Sequence, residues 1–111
     1  MVLICIDNTA TMAPQIPSAT HFAVNILASS QEEMSRRFAG QLDDRFAGVG
    51  YREGASGCAL LDEVLAWLEC RIVSRIPAGD HVIVLGEVEN AEVFEGEPLL
   101  YYRSGYARLE R

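Results

Sequence analysis

The stretch Ile76-Pro-Ala-Gly-Asp-His-Val-Ile-Val-Leu-Gly-Glu-Val88 constrains the fold more than any other part of the chain. Pro77 fixes its own φ, and Gly79-Asp80 supplies residues that turns select, so the segment opens on a turn. The run Val82-Ile83-Val84-Leu85 is short, apolar and mostly β-branched. Between turn signals that pattern reads as a strand with little water on either face. Gly86 interrupts it, and glycine inside a strand marks a bulge or a close backbone approach. Upstream, residues 66–76 admit two readings. Leu, Glu and Ala there favour helix, whereas Leu65, Trp67, Glu69, Arg71 and Val73 alternate with Ala66, Leu68, Cys70, Ile72 and Ser74. Because the segment runs directly into the Gly79-Asp80 turn, we read it as a strand, hairpin-paired with residues 82–88 and continuing past Gly86 to Phe94.

The other segments read as neighbours of this hairpin. Residues 2–6 are apolar at every position, which predicts a buried strand at the very start of the chain. Asp7, Asn8, Thr9 and Thr11 follow, short polar residues that favour caps and turns. Thr9 or Thr11 caps a short helical turn towards Ile16 on one reading; on another, the loop's hydroxyls and amides face an anion. Residues 20–27 alternate, with Phe22, Val24 and Ile26 on one face and Ala23, Asn25 and Leu27 on the other, which predicts a strand. Strands are poor in Asn, so the Asn25 amide needs a partner, either an adjacent loop or a ligand. Ser29 or Ser30 with Glu32 or Glu33 forms a capping box for a helix carrying Met34, Phe38 and Leu42 on one face and stopping at Gly40. Arg36 and Arg37 suit its end. Residues 42–57, glycine-rich with Asp43-Asp44-Arg45, read as a long loop. Residues 95–98 form a turn, 99–103 a short strand, and 106–109 a last one after the Ser104-Gly105 turn. Tyr101, Tyr102 and Tyr106 cluster there, as packing or as the wall of a flat ligand.

The chain has 111 residues and a formal net charge of -7, enough length for one core and the wrong sign for nucleic acid or an anionic membrane surface. Three cysteines without metal-like spacing read as free thiols in a reducing compartment, which predicts a cytoplasmic protein. No run reaches membrane-spanning length. The two histidines, His21 and His81, lack a partner at i+4, and no metal site is expected. His81, at the mouth of the central strand, is the best candidate for chemistry, the alternative being a ring that only bonds the turn.

Taken together and in order, Phe22-Ala-Val-Asn-Ile-Leu27 with Gln31, Arg37-Phe-Ala-Gly40, Phe46-Ala-Gly48, residues 57–61, Ala66-Trp-Leu-Glu-Cys70, Gly79-Asp-His81, Gly86-Glu-Val88 and Pro98-Leu-Leu-Tyr-Tyr102 with Tyr106 resemble the flavin reductase-like, FMN-binding split-barrel proteins. These are reductase components that feed reduced flavin to two-component monooxygenases. The resemblance covers essentially the whole chain as one domain and implies a mainly β, α+β fold: an antiparallel, Greek-key split barrel working as a homodimer. It implies FMN or FAD, reduced by NADH or NADPH, and a partner monooxygenase. Asn8, Thr9 and Thr11 would contact flavin, as would Asn25, Ile26, Leu27 and Gln31. Tyr101 and Tyr106 would line the same region, and His81 would be the catalytic residue on the nicotinamide side.

The sequence departs from that family at its start. Members carry strands and a Ser/Thr-rich segment ending Asp-Pro-Pro before the strand matched by residues 2–6. Met1 stands where that segment should already have ended, so the resemblance covers the C-terminal two-thirds of the family domain. The resulting expectation is an N-terminally truncated barrel with open edges, prone to self-association and weak in flavin binding. The alternative function is a non-catalytic split-barrel module for dimerisation or flavin binding.

Overall fold

The computed structural model describes residues 1–39, 46 and 48–110. Gly40, Leu42 and Asp43-Asp44-Arg45, read above as a helix stop, part of a helix face and part of a long loop, lie outside the described residues.

The spine is a hairpin of two 13-residue strands, β5 (Ala66–Ala78) and β6 (His81–Val93). Its two-residue loop is Gly79-Asp80, with Gly79 at φ +62°. A positive φ at the first central position alone is the type II′ pattern, whose twist matches that of the strands. Pro77 belongs to the strand rather than the turn, opposite Val82. The closing pair Ala78–His81 is hydrogen-bonded in such a hairpin, so the next pair falls where no N–H is needed across the ladder. Helix propensity at residues 66–76 yields because the whole segment pairs with β6 and residues 66–71 pair with β2 as well. β2 (His21–Ile26) runs against β5 from His21–Arg71 to Ile26–Ala66, and β1 (Val2–Asp7) runs against β6 from Val2–Gly86 to Asp7–His81.

The four-stranded sheet has the order β1-β6-β5-β2, all antiparallel. Two bulges curl it. Val73 is the extra residue between the pairs Ile72–Gly86 and Ser74–Leu85, and Glu89 is extra between Cys70–Val88 and Glu69–Asn90. A bulge bends its strand and increases the local twist. Gly86 meets both expectations for it. The register slips beside it, and a Cβ there would lie 2.5 Å from the Phe22 ring and 2.9 Å from Cys70 Cβ.

Each face of the sheet carries a core. Phe22, Cys70, Val84 and Ile16 form one, flanked by Val2, Ile4 and Ile6; Leu60, Leu61, Val64 and Trp67 form the other, flanked by Ala23, Leu27, Met34 and Phe38. The alternation of residues 20–27 is realised in Phe22 and Val24 on one core and Ala23 and Leu27 on the other, whereas Ile26, at the end of the strand, is 41% exposed. β1 differs from expectation: as an edge strand it alternates, and Leu3 is 55% exposed while its neighbours Val2 and Ile4 turn inward.

Local assignments shift in three other places. The short turn before Ile16 is a 3-10 helix (Ala13–Gln15) entered through Met12 with no side-chain cap, so neither Thr9 nor Thr11 caps it. Helix α1 (Glu32–Ala39) starts from Gln31, whose carbonyl takes its first helical bond from Ser35 N–H, rather than from Ser29 or Ser30. The glycine-rich segment is not all loop: β3 (Tyr51–Glu53) pairs with β4 (Ala59–Leu61), two strands that were not read from the sequence. β7 (Leu100–Tyr102) and β8 (Gly105–Ala107) form the expected terminal hairpin. Among the described residues no helix is long and apolar enough to cross a membrane, and Cys5, Cys58 and Cys70 are unbridged.

Candidate functional site

The candidate residues gather in three places. The first is the tip of the β5–β6 hairpin. Antiparallel pairing sets Asp7 directly opposite His81. His81 Nδ1 bonds Asp80 Oδ1 at 2.8 Å, and its Nε2 lies 4.0 Å from Asp7 Oδ2, beyond a direct hydrogen bond. The ring is 41% exposed. Asp7 Oδ1 accepts from the Thr9 amide at 2.8 Å and from the Thr9 hydroxyl at 2.7 Å, and the Asn8 amide donates to Asp80 O at 2.8 Å. These contacts set the electrostatics. The hydrogen bond to Asp80, then the charges of Asp80 and Asp7, raise the His81 pKa above its ordinary value against a desolvation that lowers it. The Thr9 amide first, then its hydroxyl, hold the Asp7 carboxyl below its usual range. The ligand-type atoms of Asp7, Asp80 and His81 all lie within 4.8 Å of one another, a spread that ion pairing accounts for.

The loop of Asn8, Thr9 and Thr11 is thus beside His81, as expected. Three amides of this stretch are engaged within the chain, however: Asn8 to Asp80 O, Thr9 to the Asp7 side chain and Ala10 to Asp7 O. Sequence reasoning treated Asp7 and Asp80 as cap and turn residues only. The signal that would have found them is the strand pairing itself, since a strand ending in Asp7 antiparallel to one starting at His81 brings the two charges together.

The second place is the far end of β2. Asn25 bonds across to β4, donating from Nδ2 to Ala59 O at 3.2 Å and accepting Leu61 N–H on Oδ1 at 2.9 Å. Gln31, only 6% exposed, accepts the Ala28 amide at 2.8 Å and donates to Asp62 O at 2.9 Å. Ile26 O takes Leu65 N–H, and Leu27 O takes Leu99 N–H. All four candidates therefore pin the β4 segment and the Pro98 region to β2. The wall they hold borders a cavity of about 770 Å³ lined by Trp67, Leu60, Val64, Phe94, Arg52 and Ser30, among others. The Arg52 guanidinium lies 5.5 Å from the Trp67 ring centroid, a cation–π contact. Arg52, Trp67 and Phe94 were not named as site residues from sequence: the β5–β6 pairing sets Phe94 near Trp67, and Arg52 reaches them only through the β3–β4 hairpin. Glu63, on the same wall, sits at φ +61°, an uncommon conformation for a residue other than glycine.

The third place is the β7–β8 hairpin on α1. Tyr101 and Tyr106 meet edge to face at 5.2 Å. The Tyr106 hydroxyl donates to Ser35 Oγ at 2.9 Å, and Arg36 lies 4.8 Å from the Tyr106 ring centroid. Tyr106 is thus a docking residue, whereas Tyr101 is 66% exposed.

The structure does not bring the three groups together within one chain. Ala78 faces His81 at one end of β5 and Trp67 faces Asn25 eleven residues away, roughly 36 Å along the strand at about 3.3 Å per residue. The longest dimension of the molecule is 38 Å.

A family model described as flavin reductase like domain matches residues 1–110. The chain is 40% identical over 101 residues to a flavin reductase of Pseudomonas putida, which covers 90% of this chain and 59% of that protein. It is 38% identical over 106 residues to the reductase component of a flavin-dependent trigonelline monooxygenase of Acinetobacter baylyi, covering 96% of this chain and 34% of that protein. Among solved structures, the NADH:FAD oxidoreductase SgcE6 of Streptomyces globisporus C-1027, in complex with NAD and FAD fragments, is similar with a TM-score of 0.92 and 34% identity, over 97% of this chain and 67% of that one. The chain spans between about a third and three-fifths of the length of the curated relatives it matches. The curled four-stranded sheet with its flanking hairpins is the flavin reductase split-barrel fold.

Proposed function

The chain belongs to the flavin reductase like domain family, and on that premise we propose that it acts as an NAD(P)H:flavin oxidoreductase supplying reduced flavin to a partner monooxygenase. The observation that carries this reading is the Gly79-Asp80-His81 tip, which holds a half-exposed imidazole at the end of the β5–β6 hairpin, its Nε2 at 4.0 Å from Asp7 Oδ2 and so beyond a direct hydrogen bond to it. The likeness to an oxidoreductase solved with NAD and FAD fragments supports it, as does the likeness to a monooxygenase reductase component.

The residues present suit a flavin. A cavity of about 770 Å³ falls within the range of small-molecule sites, roughly 300–1,000 Å³. Trp67, Phe94 and Leu60 offer apolar faces, Arg52 a cation, and Ser29 and Ser30 hydroxyls, while Asp62, Glu63, Glu95 and Glu97 bring carboxylates to the same lining, so the cavity suits the ring of a flavin better than its phosphate. Asn25, Ile26, Leu27 and Gln31 would hold FMN or FAD chiefly through the wall they fix. Tyr101 offers a further exposed aromatic face, steadied by Tyr106. The flavin supplies the hydride acceptor and NADH or NADPH the donor. The work left to the chain is stacking, orientation and exclusion of water. His81 orients the nicotinamide, with Asn8, Thr9 and Thr11 as the polar loop beside it. Because His81 and Asn25 sit at opposite ends of the hairpin, a homodimer in which the tip of one protomer faces the cavity of its partner would complete the site.

The test is steady-state NADH and NADPH oxidation with added FMN and FAD, alongside quenching of flavin fluorescence and sedimentation. Turnover with flavin and a dimeric mass are expected. A protein that neither binds flavin nor oxidises either nucleotide is the non-catalytic dimerisation module instead.

A further inference from the structure

We propose that the cavity beside Trp67 selects a flavin by its uncharged ring and repels its phosphate, so that this chain prefers riboflavin to FMN and FAD. The proposal rests on the oxidoreductase reading above and names the class of flavin that the cavity takes.

The lining of the cavity is layered. Leu60, Val64 and Trp67, only 2%, 4% and 5% exposed, form an apolar floor. Asp62, Glu63, Glu95 and Glu97 stand exposed around it as a rim. Among the described residues of the lining Arg52 is the one cation, and its guanidinium is turned to the Trp67 ring, 5.5 Å from the centroid. Four carboxylates against one guanidinium leave the mouth negative. A cleft of one charge sign above low-dielectric walls focuses its field and concentrates ligands of the opposite sign; by the same field it turns away an anion. A flat uncharged ring meets no such barrier, and it gains from covering the apolar floor.

Backbone donors do not offset the rim. The amides of Ala28, Ser29, Asp62 and Phe94, all residues of the lining, donate to Gln31 Oε1, Glu97 O, Gly50 O and Leu65 O. Helix α1 starts just after Ser29 and Ser30, and a helix N-terminus ordinarily welcomes an anion. Its first turn, however, already carries Glu32 and Glu33. A phosphate monoester brings about two further negative charges at neutral pH. The ring and the phosphate are separable parts of the ligand: riboflavin has the same ring as FMN and no phosphate, and FAD carries a pyrophosphate in its place.

Trp67 is the chain's one tryptophan and lies on the floor of the cavity, so quenching of its emission follows occupancy without turnover. Riboflavin, FMN and FAD are titrated at ionic strengths of about 0.01 M and about 1 M, where the Debye length is about 30 Å and about 3 Å. At low salt riboflavin should bind about tenfold more tightly than FMN, and more tightly than FAD, and the ratio should close towards one at high salt. Glu95→Gln with Glu97→Gln should narrow the low-salt ratio by tightening FMN more than riboflavin, and Glu97→Lys should narrow it further. Ser29 bonds the Glu97 backbone carbonyl, a contact that these substitutions keep. A damaged fold would weaken every flavin, so a gain in FMN affinity is not a folding artefact. FMN binding as tightly as riboflavin at low salt, or a preference that neither salt nor the rim variants move, overturns the proposal; if that protein still oxidises NADH with added flavin, the oxidoreductase reading stands without it. A salt-sensitive riboflavin preference in a protein that oxidises neither NADH nor NADPH removes the oxidoreductase reading and keeps the selective cavity. Quenching by none of the three flavins overturns the cavity's selectivity outright.

Discussion

Gly54 and Glu69 occupy each other's space: a Cβ built on Gly54 would lie 2.3 Å from Glu69 Oε2. The carboxylate cannot step aside. Glu69 is 2% exposed, and its Oε2 accepts both the Ser56 amide at 3.0 Å and the Ser56 hydroxyl, while Asn90 Nδ2 reaches Oε1 at 3.4 Å. Through these bonds β5 grips the turn between β3 and β4. Gly54→Ala should destabilise by about 1–3 kcal/mol, as overpacking against a fixed group does. Glu69→Ala removes the clash and orphans the Ser56 donors, a loss of about 1–3 kcal/mol. The double variant should therefore lose less than the sum, and urea unfolding of the four proteins measures the coupling. Simple additivity would show that the two residues do not share that space.

The same carboxylate gives a pH dependence. Bonds from the Ser56 hydroxyl and amide, and then from Asn90, hold the Glu69 pKa below its ordinary value. Its folded pKa is thus lower than its unfolded one. The stability it contributes is fully present above the ordinary carboxylate pKa and is lost as pH falls through the folded value. Melting curves from pH 7 downward should show the parent losing more stability than Glu69→Gln across the acid range. Parallel curves would sink the assignment. His81 has the opposite sign. Its folded pKa is raised, so its contribution is present below the ordinary histidine pKa and fades as pH rises through the folded one.

How much of this was legible in the sequence depends on how local the cause is. The β5–β6 hairpin was legible because Gly79-Asp80 and the run from Val82 announce themselves within a few residues. The two faces of β2 were legible from plain alternation. The β3–β4 hairpin was not, because three-residue strands carry too short a period, and their anchor is the Asn25 amide from a distant strand. The amide's need for a partner was readable; whether a loop or a ligand met it was not. The pairing of Asp7 with His81 was hidden for the same reason, since it follows from the register of β1 on β6 and not from any motif. The separation of His81 from Asn25 is a matter of strand length, and sequence order alone does not report it.

Asn25 supplies a third expectation. Asn25→Ala leaves Leu61 N–H and Ala59 O without their partner, a loss of about 1–3 kcal/mol. The damage should be local, freeing β4 from β2 while the central hairpin holds. Limited proteolysis near residues 54–58 should accelerate well beyond cleavage elsewhere, and hydrogen exchange at Leu61 should rise most. Uniform acceleration over the whole chain would mean that Asn25 carries the global fold instead.

The β7–β8 turn stores strain in two residues that are not glycine. Arg103 and Ser104 sit at φ +52° and +62° between the paired residues Tyr102 and Gly105, the type I′ pattern that favours Asn-Gly. Replacing Arg103 by Asn and Ser104 by Gly should stabilise the hairpin by about 1 kcal/mol or more, since each L-residue in that region costs roughly 1–2 kcal/mol. A lower melting temperature in the double variant would show that Arg103, 5.6 Å from the Tyr102 ring centroid, contributes more than the turn strain costs.

His81→Ala separates chemistry from folding. The ring is half exposed and among the described residues its direct hydrogen bond is to the neighbouring Asp80 side chain, so the hairpin, closed by the Ala78–His81 backbone pair, should keep its shape without it. Circular dichroism and thermal unfolding should be close to those of the parent at neutral pH. NADH-dependent flavin reduction should fall about tenfold or more, a loss of about 1.4 kcal/mol of transition-state stabilisation. His81→Gln, which restores a side-chain N–H donor, should recover part of the rate and should do so without the alkaline decline that the imidazolium imposes on the parent. The measurement is kcat/KM for NADH across pH 6 to 9 for the three proteins with FMN, then FAD. If the parent is active and His81→Ala matches it at every pH, the tip orients nothing, and the search for the nicotinamide face moves to the cavity beside Trp67.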